Sequence, residues 1–154
     1  MGGAGREDAV NGATALIVET TADEECPLEF LGDSADIVYF ISFAHSERYG
    51  AAHPLAKAAG LLKRRLSVDL KPLLIYADAR AESGEEERAL EAMWQEASPL
   101  AECARRAAGA IEGTPELREL TADFPELPER LRELAAMAGW AAERGARVRL
   151  TYVL

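Results

Sequence analysis

The chain has 154 residues and a formal net charge of −10, from 27 acidic and 17 basic side chains. That length suits one domain with a real core, burying roughly 70% of the surface its unfolded form exposes, and the acidic balance repels phosphate backbones, which excludes broad binding to extended nucleic acid. Cys26 and Cys103 stand far apart with no metal-ligand spacing, so neither a disulfide framework nor a structural zinc site is signalled, and a reducing cytoplasm fits.

Residues 1–12, opening Met-Gly-Gly-Ala-Gly, lack the apolar centre of a secretory signal and are expected to be a flexible tail ahead of a single α/β domain over residues 13–154. No apolar run approaches the roughly 20 residues that span a bilayer, so no membrane partner is expected. Residues 13–19 are short, apolar and partly β-branched, which predicts a first strand that ends in Thr20 and Thr21. Residues 24–35 mix acids with Cys26-Pro27 and Gly32 and read as an irregular connection or one short helix. Residues 36–44 are apolar at nearly every position, a density suited to a second, central strand covered on both faces. His53-Pro54 then opens a helix whose apolar residues Leu55, Ala58, Ala59, Leu62 and Leu66 recur at helical spacing. Lys63-Arg64-Arg65 at its end complements the helix dipole.

Residues 72–78 predict a third strand, opened by Pro72. The second half reads as helical, with Ala, Glu, Leu and Arg dominating. Glu85, Glu86 and Glu87 form an acidic first turn, Leu90, Met93, Trp94 and Ala97 make one stripe, and Ser98-Pro99 reads as an N-cap followed by proline. A final helix carries Leu131, Leu134, Ala135, Ala138 and Ala142 on one face and stops at Gly145. Val148, Leu150, Tyr152 and Leu154 then alternate with Arg147, Arg149, Thr151 and Val153, the pattern of a C-terminal edge strand. The fold expected is a three-layer, Rossmann-like α/β domain with a small mostly parallel sheet, a helical second half and that edge strand. The connection between strands two and three should be right-handed.

Parallel neighbouring strands would deliver their polar C-terminal ends to one edge, where open α/β sheets hold their ligands. Those ends carry Thr20 and Thr21, then His45, Ser46, Glu47 and Arg48, then Asp78 and Arg80. His45 is the candidate acid/base, because imidazole titrates near neutral pH, and Asp78 is its candidate partner. Thr20, Thr21, Ser46, Arg48 and Arg80 are the candidate ligand holders, since arginine grips a carboxylate or phosphate in bidentate fashion. The competing reading pairs Arg48 and Arg80 with Glu47 and Asp78 as a solvated rim. His53 reads as a helix-entry residue, no metal ligand set is assigned, and no cofactor is specified. The phosphate loops G-x-x-x-x-G-K-[ST] and G-x-G-x-x-G and the elbow G-x-S-x-G are absent from the sequence.

Residues 36–48, Asp-Ile-Val-Tyr-Phe-Ile-Ser-Phe-Ala-His-Ser-Glu-Arg, resemble the opening strand of TIR domains. His45-Ser46 with Arg48 is similar to the strand-end His-Gly-Ser-Arg of sirohydrochlorin-type chelatases, without its glycine. Neither resemblance assigns the chain to a family or carries a catalytic residue over to it. The function expected is binding of a small anionic metabolite or nucleotide at the sheet edge, with acid/base chemistry by His45. The alternative is an interaction protein or homo-oligomer that uses its Ala/Leu-rich helices between Glu85 and Arg144.

Overall fold

A computed structural model describes residues 14–46 and 52–154. The expected tail at residues 1–12 lies outside them. The elements in chain order are β1 (Ala15–Thr20), α1 (Ala35–His45), α2 (Pro54–Arg64), a 3-10 turn (Lys71–Leu74), β2 (Tyr76–Asp78), α3 (Gly84–Glu91), β3 (Gln95–Glu96), α4 (Ala97–Gly113), α5 (Pro115–Leu120), α6 (Leu127–Glu143) and β4 (Arg147–Val153). The chain is a mixed α/β structure with a small, open, four-stranded mixed sheet.

β4 is the centre of that sheet, not its edge. It pairs antiparallel with β1 from Ala15↔Val153 to Thr20↔Val148, parallel with β2 from Tyr76↔Leu150 to Asp78↔Tyr152, and antiparallel with β3 through Gln95↔Val148 and Glu96↔Arg147. The apolar/polar alternation of β4 reports which face is covered, whereas edge or centre is decided by backbone partners, so a central strand with one solvated face reads like an edge. Leu16, Val148 and Leu150 share the covered face and belong to the core. The other face carries Ile17, 37% exposed, and Arg149, whose guanidinium binds both oxygens of Glu19 and lies 4.4 Å from the centre of the Trp94 ring.

The expected second strand is a helix. Along α1, Ile37, Val38, Phe40, Ile41 and Ala44 are buried while Tyr39 and His45 are exposed, a helical period that alternation does not fit. A helix this apolar is one buried on most of its circumference, and α1 packs against α2, α6, β1 and the 3-10 turn. Its start is tied to the sheet by Ser34, whose hydroxyl accepts a 2.9 Å hydrogen bond from the Leu16 amide. With this strand gone, the right-handed crossover expected between strands two and three does not exist, and β1 and β2 are not neighbours, since β4 lies between them.

The third strand shortens to Tyr76–Asp78 because Pro72 opens a 3-10 turn that buries Leu73. The single helical stripe expected from Leu90 to Ala97 is broken: α3 ends at Glu91, a turn follows, and Gln95 and Glu96 pair with β4. α3 begins as expected, with Ser83 Oγ accepting from the Glu86 amide. α4 starts at Ala97 with Glu96 at the N-cap, so Ser98 lies inside its first turn. α4 and α6 pack closely along their alanines, joined at one end by Arg132 and Glu112 at 2.6 Å. Gly145 closes α6 at φ 66°, the left-handed position glycine adopts without strain.

The loop between β1 and α1 is held by α6. Arg130 is 4% exposed and meets Glu133 at 3.0 Å and Glu126 at 3.4 Å. Glu133 also accepts from the Leu31 amide at 3.3 Å, and Gly32 lies so close that a Cβ there would stand 2.6 Å from Arg130 Nη1.

Tyr39 and Ile41 would share a face on a strand and are separated on this helix. Ile41→Ala should therefore destabilise by about 2–5 kcal/mol, and Tyr39→Ala by about 1 kcal/mol or less, in urea denaturation. Equal losses would mean that the segment is extended after all.

Candidate functional site

The strand-end residues separate into two groups because β1 and β2 run in opposite directions beside β4. Thr20 faces Val148 and Asp78 faces Tyr152, four residues apart along β4 and so roughly 13 Å at about 3.3 Å per residue. Thr20 and Thr21 are therefore not on the edge that carries Asp78. Both serve the backbone there: Thr20 Oγ1 accepts from the Ala22 amide at 3.2 Å, and Thr21 Oγ1 accepts from the Arg147 amide at 2.9 Å.

The other group forms where α1 ends above β2. His45 is the last residue of α1, exposed, with its ring edge-on to Tyr76 at 5.9 Å. One helical turn earlier, Ser42 Oγ lies 3.4 Å from Tyr76 Oη. Tyr76 in turn stacks obliquely on Tyr152 at 5.1 Å, and Tyr152 stands beside Asp78 in the sheet. Ser46 is the C-cap of α1, its amide bonded to the Ser42 carbonyl. Arg48, with Glu47, lies outside the described residues. The end thus gathers an imidazole, an aliphatic hydroxyl and two phenols, groups that can donate hydrogen bonds to a ligand.

Asp78 and Arg80 pair with each other. Asp78 Oδ1 accepts from the Arg80 amide at 2.8 Å and from Nε at 3.4 Å, and Oδ2 accepts from Nη2 at 3.2 Å. The side-chain bonds from Arg80, then its backbone bond, hold the Asp78 carboxyl below the usual carboxylate range. Burial, followed by the nearby Asp78 charge, pushes the Tyr152 phenol up. Tyr152 therefore stays a neutral donor at neutral pH, and the Asp78 charge is matched by its own neighbour.

Tyr76, Tyr152 and Ser42 stand at this end as well, and the sequence did not single them out. The i, i+3 spacing of Ser42 and His45 becomes a signal only once the segment is a helix. His53 is a helix-entry residue: Nδ1 accepts from the Leu55 amide at 3.0 Å, and the ring stacks on Phe43 at 3.7 Å. Among the described residues no group of three His, Cys, Asp or Glu side chains could hold a metal ion, and no helix is long and apolar enough to cross a membrane.

Concavities lie elsewhere on the described residues. One of about 470 Å³ beside Thr20 is walled by Val18, Asp23, Glu25, Cys26 and Met137. Another of about 510 Å³ runs along α6 past Ala135, Gly139 and Trp140. Comparison with protein-family models, curated proteins and solved structures finds no match for the chain. The segment that carries the TIR and chelatase resemblances is helical up to His45, so the strand on which both likenesses rest is not there.

Two outcomes follow from these environments. The depressed Asp78 pKa makes the pair's contribution complete above the ordinary carboxylate value and lost as pH falls through the lowered one; Arg80→Gln should raise the Asp78 pKa, read by carboxylate NMR. Burial pushes the Cys103 thiol up to about 12, whereas Cys26 is half-buried. Ellman's reagent at about pH 8 should thus titrate Cys26 alone in the native chain and both thiols after denaturation.

Proposed function

We propose that the chain is a ligand-binding domain that takes a small anionic molecule, in the metabolite or nucleotide class, at the end of the sheet formed by α1, β2 and β4. The observation that carries this reading is the convergence of Ser42 and His45 from α1 with Tyr76 and Tyr152 from neighbouring strands. An anion is favoured because these side chains offer hydrogen-bond donors, while Asp78, the carboxylate beside them among the described residues, is already bound to Arg80. A flat ring suits the stacked phenols, which present aromatic faces and edges to it. The site keeps one element of a Rossmann-like plan, a ligand at the C-terminal end of a parallel strand pair. His45 is the group that would move a proton if turnover accompanies binding.

The reading of the chain as an interaction protein through its Ala/Leu-rich helices is less well supported. The large exposed apolar residues, among them Leu31, Tyr39 and Ile75, all lie outside α3 to α6. α4 and α6 turn their apolar faces inward.

A thermal-shift screen against nucleotides and sugar phosphates tests the proposal, since a ligand selective for the native state raises its apparent stability. With the best compound, His45→Ala and Tyr76→Phe should each weaken binding by about tenfold, the loss of one good hydrogen bond, and shift the melting temperature of the free chain little. Unchanged affinity in both variants would remove the site.

A further inference from the structure

The geometry points to a second, separate site: the outer edge of β1 docks an extended, basic peptide segment of a partner protein. The hydrogen-bond parity of β1 shows which groups are available. Thr21 donates to the Arg147 carbonyl of β4, so the odd-numbered residues of the strand face β4 and Leu16, Val18 and Thr20 turn their backbone groups outward. Leu16 is closed off by Ser34. The backbone groups of Val18 and Thr20 have no hydrogen-bond partner among the described residues.

Sheet edges left in this state are templates for strand addition, and chains that avoid it place lysine, proline or a covering segment there. Ala15–Thr20 contains neither lysine nor proline. The following loop leaves β1 at Thr21 and returns at Ser34, and between them it leaves the groove of about 470 Å³. Val18, Cys26, Leu28 and Met137 give this groove a small apolar floor, and Asp23, Glu25 and Glu29 belong to its larger, polar and negative wall. Among the described residues these three carboxylates have no ion-pair partner, whereas Glu24 is bound by Arg144 at 2.8 Å.

Charge selects the occupant. A second copy pairing edge to edge would bring the same carboxylates together, in a chain of net charge −10, and like charges so placed oppose the contact. A segment alternating apolar and basic residues meets both halves of the lining: one set of side chains faces Val18 and Met137, the other reaches the carboxylates, and its backbone completes the ladder. Ser34 blocks one end and so limits the register to the stretch beside Val18 and Thr20.

The test uses the full chain, isotopically labelled, titrated with the amidated, acetylated peptide Lys-Val-Lys-Val-Lys and, in parallel, with its Glu-for-Lys counterpart. The expected result is a shift and slowed hydrogen exchange at the Val18 and Thr20 amides with the basic peptide only, weakened about tenfold or more by Glu25→Lys with Glu29→Lys at unchanged melting temperature. Shifts scattered over the acidic surface without protection at Val18 and Thr20 would overturn the proposal, as would binding that survives the charge reversals. Protection of those two amides in the free chain, whether or not it grows with concentration, would also overturn it, because another segment or a second copy then holds the edge.

Discussion

The sheet exists because β4 supplies backbone partners to every other strand. β1, β2 and β3 all pair with it, on its two sides, and no two of them pair with each other. An unpaired buried amide or carbonyl costs about as much as a lost hydrogen bond, so these strands depend on one seven-residue segment for most of their backbone satisfaction. Val148 and Leu150, both fully buried, anchor that segment to the helices at the same time. The helical layer and the sheet are thus joined along β4 as well as at Leu16 of β1, and the antiparallel β1 and parallel β2 necessarily send their C-terminal ends opposite ways.

That constraint explains which parts of the fold could be read from the residues alone. β1, α2, α6 and β4 each announce themselves by a period and by punctuation: His53-Pro54 before α2 and Gly145 after α6 are examples. Residues 36–44 carry no such period. A run apolar at nearly every position fits a central strand and an enclosed helix equally, and length is the better arbiter, since a typical strand has about five or six residues. Strand order had no signal at all. The alternation of β4 describes its two faces, and nothing in it says that three other segments seek its edges.

The candidate site was legible to the same degree. His45 and Asp78 were singled out by their positions after apolar runs, and their segments come to one end through Tyr76 and Tyr152. The tyrosines were hidden because each lies within a run that reads as core. Thr20 and Thr21 were assigned to this end on the assumption of parallel strands, and the reversal of β1 carries them to a region whose carboxylates disfavour an anion. Chemistry therefore divides by strand direction: phenols and imidazole gather at one end of β4, acids at the other.

The buried guanidinium of Arg130 gives the molecule an unequal response to salt. Dissolved ions weaken attraction between charges that water can reach, over a distance of about 10 Å at 0.1 M, and act far less on groups enclosed by protein. The Arg65–Glu116 and Arg80–Asp78 contacts are open to solvent and belong to the first kind. The Arg130–Glu133 pair within α6, both side chains nearly enclosed, belongs to the second. In concentrated brine the rim would slacken while the Arg130–Glu133 pair stayed closed.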